Sequence, residues 1–236
     1  MESQNSYPCR CCGYLTLTEE PPGTYLICPI CFWEDNEDID NWSIWTGSNQ
    51  VSLRQAQKNF LEFGACELEW LKDVRSPTVD EARNPNWEPI EVRAEREALL
   101  LIEKIRTAFL EVQLEDGITL HEARALDDYK DTEKARIIDC HIHWLDVPDR
   151  WIEKFYEAFS FLDAKGFRHY IPAYMIWCLK NYEHTTCASF DSTLYVLERI
   201  FKTEDEYYRP KFNILNQVQL EVIQEFMNFM KIYSPG

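Results

Sequence analysis

A chain of 236 residues is long enough for one large domain or two modest ones, and its 45% hydrophobic content, with 8 Trp, 12 Tyr and 13 Phe, argues against disorder. The net charge is −17: residues 1–92 hold 6 Lys and Arg against 16 Asp and Glu, and the remainder 18 against 25. That balance works against binding a phosphate backbone and suits a soluble protein, or one steered toward a basic partner.

No apolar run approaches the roughly 20 residues of a membrane span. Met1–Pro8 lack the basic and apolar segments of a secretory signal. The expected location is the cytoplasm, where paired cysteines are metal ligands more often than disulfides.

The first element in the chain is Cys9-x2-Cys12, followed after fifteen residues by Cys28-x2-Cys31. Each Cys-x-x-Cys turn aims two thiolates at one point, and two such turns complete a tetrahedron of bonds about 2.3 Å long around zinc. One structural Zn2+ is therefore expected on Cys9, Cys12, Cys28 and Cys31, with no coordination position left for water or substrate. Gly13 supplies the backbone freedom such a knuckle needs. Cys11 is a third thiol beside two places, hence an alternative ligand or a reactive spare.

Gly13–Leu17 and Gly23–Ile27 read as short strands either side of the turn Glu20-Pro21-Pro22-Gly23. An acidic loop then carries Trp33, Glu34 and Asp35, with Trp42 and Trp45 further on. Exposed tryptophans among acids make a candidate contact surface for a basic partner. Ser52 caps a helix, with Gln55 completing a capping box and Leu53, Ala56, Phe60 and Phe63 on one face, up to Gly64. Arg75–Pro89, with three prolines, is a linker or wrapping strap.

The segments C-R-C-C-G-Y-L-T-L, P-P-G-T-Y-L-I-C-P-I-C-F-W-E-D and S-L-R-Q-A-Q-K-N-F-L-E-F-G-A resemble the bacterial cysteine-rich CPCC family across about residues 7–90. Arg10 stands where that family has proline and Cys66 where it has serine, and neither change removes a ligand. The resemblance implies a zinc-bearing module and no activity.

From residue 93 the pattern is helix after helix. Ala98, Ile102, Ile105, Phe109 and Val112 make one stripe. Thr119 and Glu122 form a capping box. Ala135, Ile138, Ile142 and Leu145 continue the pattern, then Ile152, Phe155, Phe159 and Leu162 up to Gly166. Pro172 is expected in the first turn of a helix running to about Tyr182, so Arg168, Tyr170 and Tyr174 are candidate anion contacts near a helix N-terminus; the alternative is that Arg168 pairs with a core carboxylate such as Asp163, Asp128 or Asp139 while the aromatics pack. Asp191 and Asn216 cap two more helices. G-I-T-L-H-E-A, A-R-I-I-D and F-L-D-A-K-G-F-R-H-Y-I-P-A-Y-M resemble a bacterial helical family of unknown function over residues 96–232, with His169 in a usually aromatic position.

Ile137–His143 alone resembles the His-x-His strand of metal-dependent amidohydrolases. That fold is a barrel of about 250 residues, whereas 93 residues follow His143. On a helix, moreover, residues two apart point away from each other. Asp139 and His143 are instead expected to pair across one helical turn.

The fold expected is α+β, mainly α: a zinc-ribbon-like hairpin module with a helix (residues 1–92) and an all-helical domain (residues 93–236). The expected function is a non-enzymatic, zinc-stabilised protein-binding protein, such as an inhibitor or immunity protein covering a basic toxin, for instance a nuclease. Two alternatives stay open. One is a nucleic-acid-associated zinc ribbon using Arg54 and Lys58, the other a hydrolase or thiol-dependent enzyme using Cys11, His141 or His143.

Overall fold

The computed structural model describes residues 6–37, 49–183, 186–202 and 205–234. It divides into two compact units, residues 1–97 and 98–236, and is α+β, mainly α. No helix among the described residues is long and apolar enough to cross a membrane.

In the first unit β1 (Tyr7–Pro8) pairs antiparallel with β2 (Leu15–Leu17). The expected partner of β2, Gly23–Ile27, is not a strand; it contributes only an isolated bridge between Ile27 and Glu34. The reason is the second cysteine turn. It folds the chain back on itself, so Cys28 N–H donates to Trp33 O at 2.9 Å and Asp35 N–H to Leu26 O at 2.9 Å.

Helix α1 (Leu53–Phe63) starts where its cap requires: the Ser52 side chain accepts from Gln55 N–H at 3.2 Å. It stops at Gly64, whose φ of 92° is the left-handed conformation of a helix C-terminus. The buried side of α1 includes Leu53, Ala56 and Gln57. Gln57 donates to Arg10 O at 2.9 Å and accepts from Ile90 N–H at 2.8 Å, which fixes the start of α2 (Ile90–Phe109).

Arg75–Pro89 is a strap rather than a free linker. Arg75 N–H donates to Pro29 O, Leu15 N–H to Ala82 O and Asn84 N–H to Gly13 O, at 2.8 to 3.1 Å. The Arg83 guanidinium reaches Cys12 O at 2.7 Å and lies 4.2 Å over Trp87. Backbone hydrogen bonds that a hairpin would supply elsewhere come here from a proline-rich segment.

The second unit continues from α2 through α3 (Leu120–Asp127), α4 (Thr132–Asp139), α5 (Asp149–Lys154), α6 (Ala164–Asn181), α7 (Ala188–Ile200), α8 (Arg209–Asn213) and α9 (Gln217–Tyr233). Helix α6 is its centre. Thirteen of its residues between Gly166 and Leu179 are buried, on every side of the helix, as expected where neighbours surround it completely. The capping boxes Thr119/Glu122 and Asn216/Gln219 open α3 and α9.

Two helix starts differ from expectation. Helix α6 begins at Ala164, capped by Asp163, so Pro172 lies inside it rather than in its first turn. Gly166 is not a stop but a point of close approach: a Cβ there would stand 2.3 Å from Ile118 O. Helix α7 is entered from Cys187, leaving Asp191 within its first turn instead of at its cap.

Candidate metal centre

Four cysteines come together in the first unit. The sulfurs of Cys9 and Cys31 stand 3.6 Å apart, those of Cys12 and Cys28 also 3.6 Å, and all four lie within 4.8 Å of one another. Four sulfurs about 2.3 Å from a central ion would be separated by about 3.8 Å, so the cluster has the dimensions of a tetrahedral metal site. All four side chains are buried, at most 1% exposed.

The two cysteine turns are built alike. In the first, Gly13 N–H donates to Cys9 O at 2.8 Å; in the second, Phe32 N–H donates to Cys28 O at 2.8 Å. The residue after each pair is left-handed, Gly13 at φ 80° and Phe32 at φ 68°. A left-handed conformation costs a non-glycine residue roughly 1–2 kcal/mol. At Phe32 the ring stacks on Trp70, with centroids 4.3 Å apart.

Gly13 is constrained twice over. Besides its positive φ, a Cβ on it would lie 2.4 Å from Cγ of Trp87. That indole donates to Arg10 O inside the first turn at 3.1 Å, so the strap seals the site against Gly13.

The electrostatics fit a cation. Burial pushes the Cys9 and Cys31 thiols well up. Cys12 is raised too, first because it donates to Cys28. Cys28 is pushed far down because Cys12, then Cys31 and Cys9, donate to it, helped by the Thr16 hydroxyl at 3.2 Å. Buried thiols this close do not all ionise on their own, because like charges in a low-dielectric site repel. A divalent cation removes that conflict.

Cys11 is not one of the four, although it is fully buried. Cys66 lies beside the cluster, its N–H donating to Cys31 O at 2.6 Å, and burial pushes its thiol up.

The other candidates separate from one another. Trp33 is 1% exposed and Asp35 is buried as well. The Asp35 carboxylate accepts from the N–H and hydroxyl of Thr24, both at 3.0 Å, so this part of the acidic loop is an internal brace rather than a contact surface. Glu34 is half-buried, and its backbone exchanges hydrogen bonds with the Asn49 side chain. Trp42 and Trp45 lie outside the described residues.

Arg168, Tyr170 and Tyr174 do not form an anion site. Both tyrosines are fully buried; the Tyr174 hydroxyl donates to Phe155 O at 2.9 Å and that of Tyr170 faces Asp139. Arg168 pairs with Glu115 at 3.0 Å. All three lie beyond the first turn of α6, which starts earlier than the proline suggests.

The expected Asp139–His143 pair is also absent. Helix α4 ends at Asp139, and His143 instead caps the short turn Trp144–Asp146 through Nδ1. Asp139 is buried and meets His121 of α3, whose Nδ1 is 3.1 Å from its Oδ2. Position 121 gave no signal to sequence reasoning because its partner is 18 residues away on another helix.

Comparison with known proteins agrees with this architecture. Residues 7–81 match the cysteine-rich CPCC family, and residues 97–235 match the family of unknown function DUF6714. No curated protein and no solved structure matches the chain. A cysteine module holding four buried sulfurs at metal-binding distances is thus joined to a helical region that spans more than half the chain, which belongs to the family of unknown function DUF6714.

Proposed function

We propose that the chain is a zinc-stabilised binding protein, in which the metal is structural and the working surface engages a basic protein. The observation that carries the first half is the enclosure of the four sulfurs: all are buried and mutually close. Zinc suits four thiolates in a tetrahedron better than a hard cation does, and saturation by protein ligands leaves it no catalytic position. Cys9, Cys12, Cys28 and Cys31 hold the ion; Thr16, by donating to Cys28, steadies one thiolate. A reducing cytoplasm would keep these thiols available.

Support for a basic partner is the net charge of −17 distributed over both halves of the chain. An inhibitor or immunity protein covering a basic toxin, such as a nuclease, is the specific form of this reading. The nucleic-acid alternative loses its two cations: Arg54 and Lys58 both pair with Glu91, at 3.6 and 2.9 Å. The thiol-enzyme alternative needs access to Cys11, which is 0% exposed.

The test is affinity capture from the native host with the metal-loaded protein as bait. The reading expects a basic protein retained at low salt and released at about 1 M, where the screening length falls to about 3 Å. Capture of nothing specific, or of an acidic protein insensitive to salt, would refute it.

A further inference from the structure

A divalent cation held by four thiolates is a net dianion, and the cysteine cluster is fully buried. Buried charge is costly unless hydrogen bonds or an opposite charge compensate it. The Thr16 hydroxyl donates to Cys28, but a neutral donor does not cancel a net charge.

Arg83, in the strap, brings a positive charge to the same turn. An isolated bridge with Tyr14 fixes its backbone there, and its Nε donates to Cys12 O at 2.7 Å. The side chain thus ends on the backbone of a ligand residue. The guanidinium is half-buried and set over three rings, 4.2 Å from the centroid of Trp87, 5.4 Å from Tyr14 and 5.6 Å from Phe60. A guanidinium keeps its charge against aromatic faces, where screening by water is reduced.

No carboxylate among the described residues pairs with this cation. The glutamates around it in the chain are engaged elsewhere: Glu81 with Arg75, Glu88 with Arg96, and Glu91 with Arg54 and Lys58. Nη2 of Arg83 is buried and meets no hydrogen-bond acceptor. A stacked, half-buried cation without a carboxylate, bound to the Cys12 carbonyl, has the filled cluster as its charge partner.

We propose that Arg83 is the counter-charge of the tetrathiolate metal centre, delivered to it by the strap. The inference rests on the metal reading above and concerns how that site keeps its ion. Because the charge arrives on the strap, docking of the strap and retention of the metal reinforce each other.

The experiment measures zinc affinity by competition with a chelator, on the full zinc-loaded chain and on Arg83→Lys, Arg83→Gln and Arg83→Met. Lysine keeps the charge. Glutamine keeps a donor for Cys12 O without the charge, and methionine keeps only the apolar length. Arg83→Gln and Arg83→Met should each weaken zinc by about 10–100-fold, and Arg83→Lys should recover most of that loss. Rates of zinc release to the chelator should follow the same order. A role limited to the hydrogen bond, or to packing against the three rings, predicts instead that Arg83→Gln holds zinc as well as Arg83→Lys. Any result in which the lysine variant does not exceed the glutamine variant, including loss of binding in both, overturns the proposal. A native chain that takes up no zinc refutes the metal reading itself.

Discussion

Replacing Gly13 with alanine tests how the first cysteine turn is held. The backbone there is left-handed, at φ 80°, which costs alanine roughly 1–2 kcal/mol. The new Cβ would also stand 2.4 Å from Cγ and 2.7 Å from Cδ2 of Trp87. That is a collision with the rooted end of a ring whose Nε1 is bound to Arg10 O. Forcing one extra carbon into close packing costs about 1–3 kcal/mol, so the total expected is about 2–5 kcal/mol. The assay is a double-mutant cycle with Trp87→Ala, read as urea unfolding of the metal-loaded protein together with metal affinity against a chelator. Once the indole is gone, Gly13→Ala should cost only the backbone part, so the pair couples by about 1–3 kcal/mol. Additive losses, or a Gly13→Ala change below about 0.5 kcal/mol in the native background, would refute the reasoning.

Other consequences follow from the same packing. Cys28→Ser should abolish one-equivalent metal binding and unfold the first unit, measured by metal content and near-ultraviolet circular dichroism; retained metal would show that another thiol such as Cys11 takes its place. Gly166→Ala should destabilise the helical unit by more than about 3 kcal/mol in denaturant unfolding, because its Cβ would meet Ile118 O at 2.3 Å. His169 is buried, which lowers its pKa to about 4, while its Nε2 rests on Ile142 O. The unfolded chain takes up a proton near 6.5 and the folded one not until about 4, so stability present above 6.5 declines by roughly 3 kcal/mol as the pH falls across that window. Unfolding curves of His169→Phe should be flatter with pH over the same range, and an unchanged slope would count against the assignment.

The cysteine cluster is legible because its chemistry is local. Two short turns with fixed spacing converge whatever surrounds them, and Gly13 announces the first. The second turn ends on Phe32, which gives no such sign; only its place after Cys31 mirrors that of Gly13. Helix caps at Ser52, Thr119 and Asn216 were legible for the same reason, since each involves residues three apart.

What could not be read depends on partners far along the chain. β2 pairs with Tyr7–Pro8 rather than Gly23–Ile27 because the second cysteine turn claims the latter. Pro172 suggested a helix start, yet the surrounding helices override its lost hydrogen bond and α6 begins eight residues earlier. Trp33 looked like a surface anchor in an acidic loop, and the fold buries it. Asp139 had a histidine four residues on, but α4 stops first and the carboxylate turns to His121.

The proposed metal centre is one zinc ion surrounded by four cysteine sulfurs. X-ray absorption at the zinc edge, on protein purified without added metal and quantified by elemental analysis, tests it directly. One zinc per chain with four sulfur neighbours at about 2.3 Å is the predicted result. A metal-free yet folded chain, or an oxygen or nitrogen atom in place of a sulfur, would contradict it.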